Sequence, residues 1–457
     1  MRFIPLSTLL VAATIAAPLT AQTRPVAATR LDSALRALAT QGFSGVVRVD
    51  LDEALILEKG YGLANRAAGT PFGPSSVVQI GSNTKDFTVV ALLQLYEQGK
   101  LGINDSLGKF FPDAPADKRN ITLWQLVTFR AGFPQDVGTD FEPISRSELI
   151  DRAMKRPLDF APGSREGYSN TAYSILAAVI EHTSGTSYDE YVRDHILAPL
   201  GMHDTGLVLP GFAPDRLAHG YRWGTDQGTM LSKPHAADGS YWNLRGNGGM
   251  LSTLDDMHTF YSALFQTSKL LRPETRNLRF PPDQPIALAG SDGVSFFLYE
   301  RLPGRHIEFM VAANDASWRP PQVRNAIAGA LGLPAGGRDM ASDAPKRAVH
   351  PPSPAMLALV TDFIRTLNAG DSVAVDRFVR QHFLIEPGTA PAEQRVTRML
   401  TLHQNFGVLT LQSADQIDPA SVALSITSAT SGPVEITLQT DGASPARIRA
   451  VQVIAGG

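Results

Sequence analysis

The sequence of 457 residues predicts an α/β-type (α+β) fold, in which a large region of mixed helices and strands precedes a small separate α+β domain. Apolar residues make up 43% and charged residues 19%, a balance that can bury a substantial core. In the larger region, apolar runs of helix length and of strand length are mixed. Near the C-terminus, helical periodicity is followed by four strand-like runs, which indicates a second domain.

The larger region opens with two β-rich runs in FSGVVRVDLDEALILEKGYGLANR, which predict a hairpin. Residues 82–99 predict a buried helix, because apolar groups surround it and Gly99 stands at the position of a C-terminal cap. A second buried helix is predicted in SNTAYSILAAVIEHTSG, ending at Ser184 and Gly185. A third is predicted in DEYVRDHILAPLGM, stopped by Pro199.

A fourth helix is predicted in GGMLSTLDDMHTFYSALF, with Ser252 or Thr253 as its N-cap. The runs GVSFFLYE and HIEFMVAAND are strand candidates that suit one pair. Residues 336–353 are rich in proline, glycine and small residues, which predicts a linker. Residues 354–457 form the predicted accessory α+β domain, whose first helix places Met356, Val360, Phe363 and Leu367 on one face.

Residues 1–21 predict a secretory signal peptide, because Arg2 precedes an apolar stretch and small residues at Leu19-Thr20-Ala21. An uncleaved anchor is the alternative, although the apolar run is short for a membrane span. The chain has no cysteine, which excludes disulfides and thiolate metal sites. We therefore expect a bacterial periplasmic or secreted protein without a membrane span after cleavage. Lys and Arg total 41 against 44 for Asp and Glu, which argues against a nucleic-acid partner.

Ser82 and Lys85 stand three residues apart where the buried helix begins, in the stretch VQIGSNTKDFTVVALLQLYEQGKL. A serine hydroxyl is a poor nucleophile until a base removes its proton, and a lysine at i+3 lies on the same helix face. Burial lowers the pKa of a lysine and makes it a usable base. The alternative is a capped helix with a solvated lysine, since S-x-x-K recurs by chance.

Tyr168-Ser169-Asn170 immediately precedes the second buried helix. A tyrosine between a serine and the leaving group can relay a proton as general base and then as general acid. The asparagine can orient the lysine or a substrate amide. Taken alone, the tripeptide reads equally as a turn and helix cap.

Ser82-Asn83-Thr84-Lys85 followed by Tyr168-Ser169-Asn170 resembles the first two motifs of serine β-lactamase-related hydrolases, which include class C β-lactamases, D-alanyl-D-alanine carboxypeptidases and certain esterases. LVTFRAGFPQD is similar to another family segment, with Phe129 and Ala131 where histidine and serine are common. The resemblance covers roughly residues 30–335, within a hydrolase domain of residues 22–335.

The resemblance implies a β-lactamase/transpeptidase-like fold, with a helical lobe beside a helix-flanked antiparallel sheet. It implies that Ser82 is acylated, that Lys85 activates it, that Tyr168 relays protons and that Asn170 binds substrate. The backbone N–H of Ser82 would supply half of the oxyanion hole. The C-terminal domain loosely resembles the nuclear-transport-factor-like class, from its order of helices followed by sheet.

The family's third motif, Lys-Thr-Gly or His-x-Gly, is where the sequence departs. The corresponding text, PIALAGSDGVSFFLYE, has no basic residue, although Gly290 or its neighbours can still supply a backbone oxyanion donor. Because the missing cation normally holds a substrate carboxylate, its loss disfavours β-lactams and D-Ala-D-Ala peptides and favours neutral esters or amides. We expect a serine hydrolase acting on a small-molecule or peptide substrate; a β-lactamase or D-Ala-D-Ala carboxypeptidase, or a catalytically impaired binding protein of the same fold, is the alternative.

No metal site and no organic cofactor are expected. His195, His203 and His258 lack ligand spacing and read as helix-surface or capping residues. Asp255 and Asp256 follow a helix start, where acids favour the dipole. Tyr241 and Trp242 precede a Gly-Gly turn, and they suit either a wall of the cleft or core packing.

Overall fold

The computed structural model describes residues 24–207, 214–222, 225–229, 241–291, 294–315, 318, 320–333, 352–385, 391–418, 420–428, 430, 432–443 and 446–455. The predicted signal peptide lies outside these residues, as does most of the predicted linker. The chain divides into two compact units, Met1–Met340 and Ala341–Gly457. Both helices and antiparallel sheets are present, and the predicted α+β fold class is confirmed.

The helices of the first unit are α1 (Arg24–Thr40), α2 (Thr84–Glu97), α3 (Leu107–Phe110), α4 (Leu123–Val127), α5 (Arg146–Lys155), α6 (Asn170–Ser184), α7 (Tyr188–Val192), α8 (Ala198–Leu200), α9 (Leu254–Gln266), α10 (Pro273–Arg276) and α11 (Pro320–Ala330). Its strands are β1 (Gly45–Leu51), β2 (Ala54–Tyr61), β3 (Leu63–Asn65), β4 (Thr70–Pro71), β5 (Val78–Gln79), β6 (Tyr221–Arg222), β7 (Thr225–Asp226), β8 (Leu251–Ser252), β9 (Ile286–Ser291), β10 (Phe296–Leu302) and β11 (Ile307–Ala313).

The main sheet of this unit has five antiparallel strands in the order β2-β1-β11-β10-β9. Both of its faces are covered, so the central strands read as continuous apolar runs. On β11, Phe309 and Val311 pack with α1 and α11, whereas Met310 and Ala312 join the core of the helical lobe. Strand β9 lies at one edge of the sheet, which leaves it free to border the site described below.

The core of the helical lobe is organised around α2 and α6, whose central residues are buried on all sides. The expected helix over residues 82–99 needs correction at both ends. Residues Gly81–Asn83 form a 3₁₀ turn, α2 proper begins at Thr84, and it ends at Glu97. Gly81 has a φ of +52° and Gly99 a φ of +69°, left-handed conformations that interrupt the α-helix on either side.

The other helix boundaries follow local chemistry. Gly185 ends α6 in a left-handed conformation, and Thr253 is the N-cap of α9, its side chain accepting from the Asp256 N–H. Pro199 does not stop the third predicted helix. A single π-helical turn, Arg193–Leu197, leads into α8, which contains the proline in its first turn, and Gly201 ends the segment in a left-handed conformation.

The second unit contains α12 (Pro354–Ala369), α13 (Ser372–His382) and α14 (Ala392–Phe406), followed by β12 (Leu409–Asp418), β13 (Ser421–Ser428), β14 (Gly432–Thr440) and β15 (Ile448–Ala455). The strands form one antiparallel sheet in sequence order. Met356, Val360, Phe363 and Leu367 on α12 are buried in a core with residues of α13, α14 and the sheet. The unit therefore has an apolar core of its own.

Candidate active site

Ser82 lies in the 3₁₀ turn that leads into α2, and Lys85 lies in the first turn of that helix. The Lys85 Nζ donates to the Ser82 Oγ at 3.1 Å. Gly81 allows this turn to lie against the edge strand β9, since a Cβ at Gly81 would stand 2.5 Å from the Ser291 backbone nitrogen. The positive φ and the close approach together require glycine at this position.

Lys85 is only 5% exposed, and it also donates to the Asn170 Oδ1 and to the Asn247 carbonyl, both at 2.7 Å. Burial lowers the pKa of Lys85 to about 7, although Asp136, Asp86 and Asp140 act in the opposite direction. A substantial fraction of the lysine is therefore neutral near pH 7. In that state its nitrogen can accept the proton of the Ser82 hydroxyl.

Tyr168 reaches the same serine, and its hydroxyl is hydrogen-bonded to the Ser82 Oγ. The residue is 46% exposed overall, but its hydroxyl end faces into the site, and desolvation there raises the pKa of Tyr168 to about 12. The phenol therefore stays protonated at neutral pH. The Lys85 Nζ also lies 4.8 Å from the centre of the Tyr168 ring, a cation–π distance.

Ser169, which lies between Tyr168 and Asn170, is the N-cap of α6. Its hydroxyl accepts from the Ala172 N–H at 3.0 Å and donates to the Pro134 carbonyl at 2.8 Å. The capping role and the chemical role expected of this tripeptide thus coexist. The cap fixes the start of α6, and Tyr168 and Asn170 on either side of it both reach the Ser82–Lys85 pair.

Asn170 connects the lysine to a carboxylate that the sequence reading did not single out. Its Oδ1 accepts from Lys85, while its Nδ2 donates to the Asp136 Oδ1 at 2.9 Å. These two bonds fix the orientation of the amide. Asn247 was also missed, because its contribution to Lys85 is a backbone carbonyl, which residue type does not reveal.

Strand β9 forms the wall opposite these groups. A Cβ at Gly290 would lie 2.1 Å from the Ile80 carbonyl oxygen and 2.5 Å from the Ser82 backbone nitrogen, so the strand backbone runs in contact with the nucleophile turn. Leu288 and Ala289, which precede the glycine, are half-buried and pack against apolar neighbours. The wall consequently offers backbone close to Ser82 and no basic side chain along Ile286–Ser291.

Phe129 supports Tyr168 from the side, with its ring centre 4.9 Å from that of Tyr168 and 5.3 Å from that of Tyr173. It has a φ of +57°, an uncommon conformation for a bulky residue. Its carbonyl accepts from the Gly167 N–H at 2.9 Å, immediately before Tyr168. The aromatic residue at this position therefore packs on the tyrosine and also fixes the approach of its backbone.

Behind the nucleophile turn, Tyr261 accepts from the Asn83 Nδ2 and donates to the Asp86 Oδ2, both at 2.8 Å. Burial raises the pKa of Asp86 to about 6, even though the Tyr261 hydroxyl and Arg279 favour its charged form. Tyr261 stacks on Tyr299 of β10 with ring centres 3.7 Å apart. This buried group anchors the residues that flank Ser82 and Lys85, and the sequence carried no motif for it.

The remaining candidates lie apart from these contacts. His195 contacts the Tyr191 ring, His203 precedes the Asp204–Arg216 pair, and His258 lies on α9 near Glu308. Trp242 is buried beneath the Arg245 guanidinium, and Tyr241 packs edge-on against Phe141. Asp255 and Asp256 lie in the first turn of α9, where Asp256 accepts from Thr205. Among the described residues, no three His, Asp or Glu side chains are grouped to hold a metal.

The described part of the first unit contains a cavity of about 640 Å³ in the helical lobe around Phe110, Arg146 and His182, and none of the site residues line it. A smaller cavity, of about 220 Å³, is lined by Gln79 and Ser295 among others, and its lining includes no residue of the nucleophile turn or of β9.

The match to a family model settles the relationship. The Beta-lactamase family model matches residues 31–367, and the chain belongs to this family. Penicillin-binding protein 4* of Bacillus subtilis (strain 168) is 26% identical over 239 residues, which are 49% of this chain and 52% of that protein. The chain spans about half the length of the curated relatives it matches.

Solved structures share the fold. FmtA from Staphylococcus aureus matches with a TM-score of 0.57 and 23% identity, over 66% of this chain and 87% of that one. EstCE1, a hydrolase with promiscuous acyltransferase activity, matches with a TM-score of 0.56 and 18% identity, over 68% of this chain and 99% of that one. The predicted β-lactamase/transpeptidase-like fold is confirmed by these matches.

Proposed function

We propose that this protein is a serine hydrolase that cleaves an ester or amide through an acyl-enzyme on Ser82. The observation that carries the proposal is the position of the Ser82 Oγ, which lies within hydrogen-bond distance of both the Lys85 Nζ and the Tyr168 hydroxyl. A nucleophile that contacts a base of near-neutral pKa and a proton-donating phenol has the parts that acyl transfer requires.

In the first half-reaction, the Ser82 oxygen bonds to the substrate carbonyl carbon while its proton passes to neutral Lys85. The Ser82 N–H and a backbone N–H at the end of β9 are the donors for the oxyanion. Collapse of the tetrahedral intermediate breaks the bond to the leaving group, which takes a proton from Tyr168, and Lys85 reprotonates the tyrosine. Water then attacks the acyl-enzyme by the same steps in reverse, which releases the acid and restores Ser82.

The substrate preference follows from the wall formed by β9. Ala287 or Leu288 corresponds to the basic residue that begins the family's third motif and holds a substrate carboxylate, and neither is charged. We propose an esterase or amidase of small-molecule or peptide substrates, rather than a β-lactamase or D-Ala-D-Ala carboxypeptidase. The replaced motif is also what favours the second candidate, a protein that binds such ligands without turning them over.

We also propose that residues 1–21 direct the protein to the periplasm or the exterior, and that residues 354–457 are a nuclear-transport-factor-like accessory domain without a catalytic role. The second unit has an apolar core of its own, which supports the proposal of a separate accessory domain. Within the described residues, no helix has both the length and the hydropathy needed to cross a membrane. Truncation before Pro354 is expected to leave the turnover of a small ester intact.

The test is the steady-state hydrolysis of p-nitrophenyl acetate by the wild type and by Ser82→Ala. A working nucleophile raises the rate by several orders of magnitude over background, and this gain should vanish in the variant. Mass spectrometry of the wild type with an activated ester should show one acyl adduct, mapped to Ser82. Equal rates for the two proteins and no adduct would leave the binding protein as the better reading.

A further inference from the structure

Asp136 lies at the mouth of the candidate site on a segment that is fixed to α6. The Gln135 carbonyl accepts from the Asn170 and Thr171 N–H groups at 2.9 and 3.1 Å, and Pro134 accepts from the Ser169 hydroxyl. Because these bonds secure the residues immediately before Asp136, the position of its carboxylate is set by the start of the helix. A negative charge is favoured beside the N-terminus of a helix.

The Asp136 carboxylate is connected to the nucleophile through two side chains. It accepts from the Asn170 Nδ2 at 2.9 Å, the Asn170 Oδ1 accepts from Lys85, and Lys85 donates to Ser82. Asp136 itself is exposed, so one of its faces remains available to a molecule that enters the site. Substrate bound at Ser82 and Asn170 would therefore lie within the field of this carboxylate.

Among the described residues, Asp136 has a side-chain hydrogen bond from Asn170 and no ion pair. Its charge acts on Lys85, which must be neutral to serve as a base. Arg130 and Arg152 are paired with Glu166 and Glu142 respectively. Arg279 acts on Asp86 and Tyr173. On the opposite wall, β9 presents Leu288, and no residue of Ile286–Ser291 carries a positive charge.

We propose that Asp136 makes this site select esters or amides that carry a positive charge, such as an ammonium group, near the scissile carbonyl, and discriminate against anionic ones. The inference rests on the proposed acyl transfer at Ser82. A carboxylate at the mouth and a wall without a cation reverse the charge preference that a basic third motif provides. In a cleft with low-dielectric walls, a charge of one sign raises the local concentration of ligands of the opposite sign.

The experiment compares kcat/KM for pairs of esters that share a shape and differ in charge, at low ionic strength. On the acyl side, p-nitrophenyl 4-(trimethylammonio)butanoate is compared with the neutral 5,5-dimethylhexanoate and with the glutarate monoester. On the leaving-group side, choline butyrate is compared with 3,3-dimethylbutyl butyrate. A quaternary ammonium donates no hydrogen bond, and each ratio is divided by the same ratio for hydroxide-catalysed hydrolysis, which removes the inductive effect of the charge on ester reactivity.

In the wild type, the cationic ester of at least one pair should react about tenfold or more faster than its neutral partner, and salt should reduce this ratio. Asp136→Asn should lower the ratio at least about fivefold, whatever happens to the absolute rates. Asp151→Asn removes an equal charge from an exposed ion pair with Lys155 on α5, and it should leave the ratio unchanged. Leu288→Lys should lower the cationic ratio and favour the glutarate ester, an independent test if Asp136→Asn does not fold.

Two results would overturn the inference while leaving the hydrolase intact. One is a ratio near unity in both pairs, together with loss of activity in Ser82→Ala. The other is an equal loss of rate for all esters in Asp136→Asn, which would make Asp136 a positioning residue for Asn170. Unchanged turnover in Ser82→Ala would instead refute the proposed function, and this inference with it.

Discussion

The Tyr261 hydroxyl donates a 2.8 Å hydrogen bond to the Asp86 carboxylate, directly behind the turn that carries Ser82. Both residues are buried. Tyr261→Phe would leave the carboxyl without this partner and would also free the Asn83 amide. We expect a loss of about 1–3 kcal/mol in the free energy of unfolding, measured by urea denaturation. Tyr96→Phe, at a half-exposed position on the same helix as Asp86, should change it by less than about 0.5 kcal/mol.

The same carboxyl makes stability depend on pH. The pKa of Asp86 is raised by burial from 3.8 to about 6, so the folded state holds a proton that the unfolded chain has already lost. The contribution of the Asp86 carboxyl to the free energy of unfolding is therefore fully present below about pH 4. It declines as the pH rises to about 6, by up to about 3 kcal/mol. Asp86→Asn should remove this decline. The measurement is urea unfolding at several pH values. The assignment would be contradicted if the free energy of unfolding fell equally steeply with pH in the wild type and in Asp86→Asn.

Lys85 must be neutral to accept the serine proton, which fixes the sign of the pH dependence of activity. Because burial holds the pKa of Lys85 at about 7, kcat/KM should rise with pH through that value and then level off. Lys85→Arg keeps the positive charge but cannot lose a proton, and kcat should fall about a thousandfold or more. Lys109→Arg, at an exposed ion pair on α3, is the control. A flat profile between pH 6 and 8 would count against Lys85 as the base.

Tyr168→Phe separates the proton-transfer role of the hydroxyl from the packing of the ring. The variant keeps the contact with Phe129 but loses the hydroxyl bound to Ser82. Activity on a p-nitrophenyl ester should fall about 10²- to 10⁴-fold, with little change in thermal unfolding. The loss should be larger for an ester with a basic alkoxide leaving group, which needs a proton donor. Equal losses for both leaving groups would mean that Tyr168 does not protonate the departing oxygen.

Gly290→Ala tests the contact between the edge strand and the nucleophile turn. The added Cβ would meet the Ile80 carbonyl and the Ser82 nitrogen, which are backbone atoms that cannot rotate away. We expect β9 to shift and kcat to fall by about two orders of magnitude, as when an oxyanion donor is displaced. Gly304→Ala, where a Cβ meets nothing within 4 Å, should leave kcat unchanged. Full activity in Gly290→Ala would show that β9 is not part of the reacting geometry.

The sequence was informative where chemistry follows residue type at a short spacing. Ser82 and Lys85 lie one turn apart, and Tyr168 and Asn170 flank a helix cap, so local patterns identified residues that the fold brings together. Asp136 could not be found in this way, because its bond to Asn170 arises only when two distant segments meet. Asn247 acts through its carbonyl, which every residue possesses, and the Tyr261–Tyr299 stack joins a helix to a strand.

Helix and strand types were easier to predict than their boundaries. Continuous apolar runs indicated α2 and α6, but the 3₁₀ turn at Ser82 follows from the conformation of Gly81 against β9, a tertiary constraint. Pro199 was expected to stop a helix, whereas the helical run continues through a π-helical turn and past the proline to Leu200.

The backbones at Gly81 and Gly290 lie in close contact, so the positions of this site do not tolerate substitution equally. Backbone atoms set the spacing between the nucleophile turn and the edge strand. A side chain at either glycine would change that spacing, so these two positions tolerate almost no substitution. Leu288 lies on the same strand and the same face as Gly290, but it contributes a side chain to the wall, whereas Ala289 packs on the opposite face of the sheet. Substrate preference can therefore change at residue 288 while the backbone geometry beside it stays constant.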